Sequence, residues 1–405
     1  FMRYFERHPE TKLCAWSGTI TKRSIKDFAH LAALALRTQS PLPRMERVLN
    51  QWAQVIDDVK IPAPPGALRL LDPERVGDDG YGVREAFQRR CAATLGWVAT
   101  PDRGSCEASM VITERTLPVP EAVKAAISTV KKGWERPDHQ EKFADILQVT
   151  KCAHELASGF YYRWRWPRGE SMETILHWLD ARKNWHLELR DLLRQGREHL
   201  DSPLLCAKAA IRYYNGYTPR GNEEPLPVWP AETWPRWVEV RDTAQPETEA
   251  VWIDDYLAQD AAEWARTHRG VVWYEHETFG QRVAALSGAP LYTRLAARPD
   301  LAAALAAERG DRSVIASVKS VGTGWNLQQF SDQLVTNIFT SAAKWEQMLG
   351  REHRPGQRSD QVTCEVYAHT SDLRDALRNA KLGAQYLQST TGVGQLLLKA
   401  QWIKA

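Results

Sequence analysis

Two arginines three positions apart, Arg351 and Arg354, lie in the string Gln347-Met348-Leu349-Gly350-Arg351-Glu352-His353-Arg354-Pro355-Gly356-Gln357. Permanently charged, planar guanidiniums delivered to one spot are what stabilisation of a transferring phosphoryl group requires. A helix over 344–351 would put Gln347, Gly350 and Arg351 on one face, because positions three and four apart are helix neighbours. Pro355 has no N–H to give and would stop that helix, leaving Arg354 at its end. Two arginines alone fit a solvated basic helix end better than a phosphoryl site.

Three other stretches carry chemistry-bearing residues. Gly322-Thr323-Gly324-Trp325-Asn326-Leu327 follows an expected strand, and glycines on both sides of Thr323 let a backbone approach a ligand closely. Ser17-Gly18-Thr19 ends the apolar run 12–17, which reads as a buried strand. A helix follows, with Ser24 as its N-cap and Ile25, Phe28, Leu31, Ala32, Ala35 and Leu36 at helical spacing. That arrangement puts hydroxyls and N–H groups at the carboxyl edge of a parallel sheet, where open α/β sheets bind ligands; an ordinary strand–turn–helix reads the same way. In 160–167, Phe160, Tyr162, Trp164 and Trp166 alternate with Tyr161, Arg163 and Arg165. Such a strand could stack bases and hold phosphates, or form an aromatic seam with a wet polar side.

The elements around these residues define the fold class. From 251 onward, expected helices at 253–266, 278–287, 299–308 and 371–387 alternate with expected strands at 271–274, 290–292, 313–318, 333–338 and 361–367. This alternation predicts a parallel α/β sheet. Residues 74–250 read as mainly helical, with helices at 121–132, 139–158 and 172–200 and an irregular Pro- and Trp-rich passage at 217–250. The tail 394–399 forms a last turn or strand.

Bulk composition narrows the classes. The chain has 405 residues, 43% hydrophobic and 25% charged, with net charge +3, so nucleic-acid binding must come from local patches. Cys14, Cys91, Cys106, Cys152, Cys206 and Cys364 form no CxxC pair, which predicts reduced thiols rather than a disulfide framework. The spacing of Cys91, Cys106, Cys152 and His154 fits no standard zinc pattern, and no metal ligands are assigned. No run is long and apolar enough for a signal peptide or membrane span, so no membrane partner is expected.

The Gln347–Gln357 string resembles motif VI of superfamily 2 helicases, in the QxxGRxHRxGQ form of the Swi/Snf-type branch. Residues 318–328, carrying GTGWNL, resemble motif V. Residues 271–276 sit where motif IV falls, and Ser17-Gly18-Thr19 resembles motif III. The resemblance covers roughly 10–40 and 251–390, in the family's order. It implies the end of a first RecA-like domain at 1–40, a mainly helical Trp-rich insertion at 41–250, a second RecA-like, helicase C-terminal domain at 251–390, and a tail at 391–405.

By that resemblance Arg354 is the arginine finger, Arg351 contacts the γ-phosphate and Gln347 reports nucleotide state. Gly324, Gly350 and Asn326 face ATP, while Ser17, Thr19, Gly322 and Thr323 lie on the nucleic-acid path, with Arg163 and Arg165 as further candidates. The implied activity is ATP-dependent movement on nucleic acid, DNA ahead of RNA, in the cytoplasm of a bacterial or phage-infected cell, nucleoid association included.

One departure is large. No GxxxxGK[ST] occurs, no DExH or DExD box precedes Ser17, the glycine-rich 77–82 has no lysine, and Asp254-Asp255 lies in the wrong place. ATP and Mg2+ would therefore be held mainly by a first RecA-like lobe outside these residues. The chain reads as the carboxyl-terminal part of an ATPase, inactive alone. The alternative is a non-catalytic nucleic-acid-binding or interaction module on a RecA-like scaffold.

Overall fold

The computed structural model describes residues 2–8, 10–16, 20–21, 23–57, 71, 80–98, 106–139, 143, 146–167, 169–195, 197, 200, 202–219, 225–244, 246–322 and 324–404. Ser17, Gly18, Thr19 and Thr323 lie outside them, as do 77–79 of the glycine-rich stretch. Contacts divide the chain into two compact units, Phe1–Pro120 with Asp255–Ala405, and Glu121–Asp254.

The first unit is built on a parallel sheet of seven strands: β1 (Ser109–Arg115), β4 (Gly270–Tyr274), β5 (Leu291–Tyr292), β6 (Val314–Ser317), β7 (Asp332–Val335), β8 (Gln361–Tyr367) and β9 (Gln401–Ile403), in the order β5-β6-β4-β7-β8-β1-β9. The α/β parallel sheet expected from the alternating pattern is present. Its central strands are apolar runs because both faces are covered: every residue of β4 and of β6 is buried. The helices Tyr256–Thr267, Glu277–Ser287, Pro299–Ala306 and Ala342–Leu349 connect its strands. The connection leaving β4 goes to one side and that leaving β7 to the other, so the carboxyl-end crevice usual for ligands in this fold lies between them.

Two strands in this sheet were not foreseen. β1 pairs with β8 from Ser109↔Gln361 to Arg115↔Tyr367 and with β9 on its other side. Its run SMVITER is β-rich, but it belongs to a stretch read as mainly helical, and its partners are hundreds of positions away. The insertion was expected over 41–250; the second contact unit spans Glu121–Asp254, and the chain both leaves and re-enters through the first unit.

The buried strand expected at 12–17 is not formed. Residues 11–16 carry no regular structure, Cys14 is exposed and Trp16 is 91% exposed. A buried strand needs a partner to take its backbone hydrogen bonds, and no strand pairs with this segment among the described residues. The following helix is Lys26–Leu36, not begun at Ser24, although the Ser24 hydroxyl accepts from the Lys26 N–H at 3.1 Å. It packs with Glu46–Ile56 and Gly80–Ala93 around Phe28, Trp52, Ile56 and Phe87.

In the second unit the helices Glu121–Gly133, Ile146–Ala157, Met172–Arg194, Pro203–Tyr214 and Trp234–Val240 accompany an antiparallel pair, β2 (Phe160–Arg165) with β3 (Glu247–Trp252). The passage 217–250, read as irregular, thus contains a helix and most of a strand. Tryptophan contacts fill this unit: Trp178 meets Trp164, Trp166 and Trp237 edge-on, and Trp185 meets Trp229 and Trp234.

Candidate functional site

The helix leading to the arginines is Ala342–Leu349, with the Ser341 hydroxyl accepting from the Lys344 N–H at its start. Trp345, Met348 and Leu349 are wholly buried and fix its inner face, and the Trp345 indole N–H donates to the Phe339 carbonyl at 2.8 Å. The helix ends at Gly350, whose N–H reaches the Glu346 carbonyl. Pro355, expected to stop it, lies further along. Gly350 comes first because the chain leaves the helix for a turn in which the Arg351 N–H bonds Met348 and the His353 N–H bonds Leu349.

Arg351 is half-buried. Its Nε donates to the carbonyls of Gln347 at 2.9 Å and Gly322 at 3.0 Å, and its Nη1 donates to the Trp325 carbonyl at 3.0 Å. The Leu327 N–H returns a bond to the Arg351 carbonyl at 3.0 Å. Burial, followed by the charge of Arg354, pushes the Arg351 guanidinium below its usual range. Arg354 is held far less: among the described residues its guanidinium has one contact, from Nη1 to the Trp325 carbonyl at 3.5 Å, a length at which a hydrogen bond is weak.

The structure therefore brings together Gln347, Gly350, Arg351, Arg354, Gly322 and the loop bearing Gly324 and Asn326. Gly324 has φ +83°, a left-handed conformation that glycine adopts without cost, and both it and Asn326 are exposed. A side chain at Gly322 would press on the Val318 carbonyl. Thr323, Ser17 and Thr19 lie outside the described residues. Arg163 and Arg165 belong to the other unit, where each meets the glutamate opposite it on β3, Glu249 and Glu247.

Glu352 and His353 were not singled out in the sequence; His353 occupies the fixed histidine of the QxxGRxHRxGQ form, whereas nothing in the type or spacing of Glu352 marks it. His353 Nε2 lies 2.7 Å from the Ala108 carbonyl, one residue before β1. Glu352 is 0% exposed, and among the described residues neither carboxyl oxygen has a hydrogen-bond partner. Burial, and then Asp332 at the start of β7, hold its carboxyl well above the usual range; the neutral acid is the form such a site tolerates. The Gln357 amide donates to the carbonyls of Phe330 at 2.9 Å and Glu352 at 3.0 Å.

These partners locate the turn. It sits beside the starts of β7, β8 and β1, away from the carboxyl ends where this fold takes its own ligands. Among the described residues no group of three His, Cys, Asp or Glu is arranged to hold a metal ion. The described residues fit the phosphoryl end of a nucleotide through a guanidinium, and among them there is no cradle for the remaining phosphates or for Mg2+. No helix among the described residues is long and apolar enough to cross a membrane.

Neither a protein-family model nor a curated protein matches the chain. Among solved structures, the chain is similar to T4 UvsW at 12% identity, over 37% of this chain and 34% of that one, with TM-score 0.25. It is also similar to the C-terminal part of the Fun30 ATPase domain at 11% identity, over 70% of this chain and 99% of that one, with TM-score 0.32. Scores this low fall short of a shared overall arrangement, so the fold rests on the sheet described above.

Proposed function

We propose that the first unit is the arginine-bearing half of a nucleic-acid-dependent ATPase, a helicase or DNA translocase. The observation that carries this reading is Arg354, a guanidinium with one 3.5 Å contact among the described residues, on a turn whose neighbouring side chains are fastened. The turn lies off the carboxyl-end crevice of its own sheet, a placement suited to an arginine given to a nucleotide held by another lobe. That lobe supplies the phosphate loop and the carboxylates for Mg2+, with ATP as substrate. Arg354 then offsets charge developing on the transferring phosphoryl group, an effect of roughly 10³–10⁵ in rate for such fingers.

The test places Arg354→Ala in a polypeptide joining these residues to a phosphate-loop lobe and measures nucleic-acid-stimulated ATP hydrolysis. Turnover should collapse while nucleotide affinity changes little; turnover at the parent rate would refute the assignment. The 405 residues alone should show no turnover. The binding-module alternative gains nothing from the aromatic strand, because Arg163 and Arg165 are each matched by a carboxylate and Trp164 and Trp166 pack on Trp178.

A further inference from the structure

Four consecutive side chains in the turn have four different surroundings. Arg351 bonds the carbonyls of Gly322, Trp325 and Gln347, Glu352 is buried beside Asp332, and His353 meets Ala108. Among the described residues the Arg354 guanidinium has a single long contact, to the Trp325 carbonyl that Arg351 also reaches. The resemblance noted in the sequence gives both arginines the same target, a γ-phosphate. Their bonding is not the same.

We propose that Arg351 is a positioning residue, which ties loop 322–327 to the helix end and so presents Arg354 as the one phosphoryl-contacting arginine. The identity of Arg354's target rests on the function proposed above; the tie does not. The tie is reciprocal, side chain to the Gly322 and Trp325 carbonyls and Leu327 N–H to the Arg351 carbonyl. Hydrogen bonds from a charged donor are the strong ones, and moving Arg351 onto a phosphate would leave several carbonyls without it. Trp325 is the shared point, since its carbonyl accepts from both guanidiniums. Fixing that carbonyl with Arg351 fixes where Arg354 can lie. Lysine could not replace this arrangement, because one ammonium on a flexible stem lacks the rigid fork that spans Gln347, Gly322 and Trp325.

The experiment uses the whole chain and two readouts. Modification by phenylglyoxal, read by mass spectrometry with and without inorganic pyrophosphate, reports each arginine in the parent protein without any substitution. Arg354 should react several times faster than Arg351, and pyrophosphate should protect Arg354 alone. Amide exchange then compares Arg351→Lys, Arg351→Ala and Arg354→Ala. Both Arg351 variants should speed exchange at 324–327 roughly ten- to a hundredfold, the range expected for losing a charge-assisted hydrogen bond, with β8 unchanged. Arg354→Ala should leave that loop as it was.

Protection of Arg351 by pyrophosphate, through the Nη2 that has no partner among the described residues, would overturn the proposal. So would parental exchange in Arg351→Lys, which would make charge alone sufficient. Accelerated loop exchange with no protection of either arginine would uphold the tie, and the nucleotide reading would then stand or fall on the turnover of Arg354→Ala in the joined polypeptide.

Discussion

The chain holds two pairs of arginines that look alike in sequence and differ in what surrounds them. Arg163 and Arg165 alternate along β2 and face Glu249 and Glu247 across the ladder, so their charge is cancelled where it stands. Among the described residues Arg351 and Arg354 donate only to backbone carbonyls, which orient a guanidinium without neutralising it. A pair bonded to carbonyls keeps its positive field for a ligand, and a pair bonded to carboxylates has already used it. The difference comes from elements that neither pair belongs to.

The largest expected effect breaks the comparison at Arg354. Its replacement by alanine should lower stimulated ATP turnover roughly 10³–10⁵-fold in a polypeptide that includes a phosphate-loop lobe. Arg163→Ala with Arg165→Ala should leave turnover within a few-fold. Equal losses in steady-state assays of the two variants would erase the distinction.

Next comes the support under the site. Trp345→Ala removes a wholly buried indole and its bond to Phe339, and should cost about 3–5 kcal/mol. Denaturant titration should show this loss in the first unit, with the helices of the second unit unaffected.

Two buried carboxyls sharpen the contrast through pH. Glu155, 4% exposed, is pushed up to about 7 by burial, against the opposing effects of Lys151 and the Tyr162 N–H. Unfolded, it loses its proton near the ordinary 4.5. Between these values the folded state binds more protons, so stability falls as pH rises, by up to roughly 3 kcal/mol. Above pH 7 this contribution is flat. Glu352, raised in the same direction by burial and Asp332, adds a fall of the same sign in the first unit. Amide exchange read on Ile146–Ala157 and on β7 should show both slopes. Glu155→Gln should flatten the first and Glu352→Gln the second, and a slope that survives its own substitution would assign it elsewhere.

The smallest effect belongs to the glutamate-matched ladder. Its ion pairs are half to largely exposed, and each should contribute no more than about 1 kcal/mol. Thermal melts of Arg163→Ala and Arg165→Ala should shift little. A drop of several kcal/mol would mean that the ladder holds the second unit together more than an exposed pair can.

Much of the sheet was legible because the signals are local. Val271 to Tyr274, the run around Ile315 and the stretch Gln361–Tyr367 are apolar or alternating over four to seven residues, and period alone identifies such strands. The string from Gln347 to Gln357 was legible for the same reason, since residue types at fixed spacing carry the chemistry. Where the helix ends was misplaced because Pro355 is the louder stop signal, while the turn is already closed by Met348 and Leu349 accepting from Arg351 and His353.

Sequence by itself determined that this chain contains a parallel α/β sheet and that two arginines share one turn. Tertiary structure decided that Ser109–Arg115 is a member of that sheet, because a parallel pairing with Gln361–Tyr367 is a contact between distant segments that no local pattern encodes. It also decided the separate surroundings of Arg351 and Arg354. A guanidinium's partners here are the carbonyls of Gly322 and Trp325, and every residue type has a carbonyl. Only the path of the folded backbone brings those particular ones within reach.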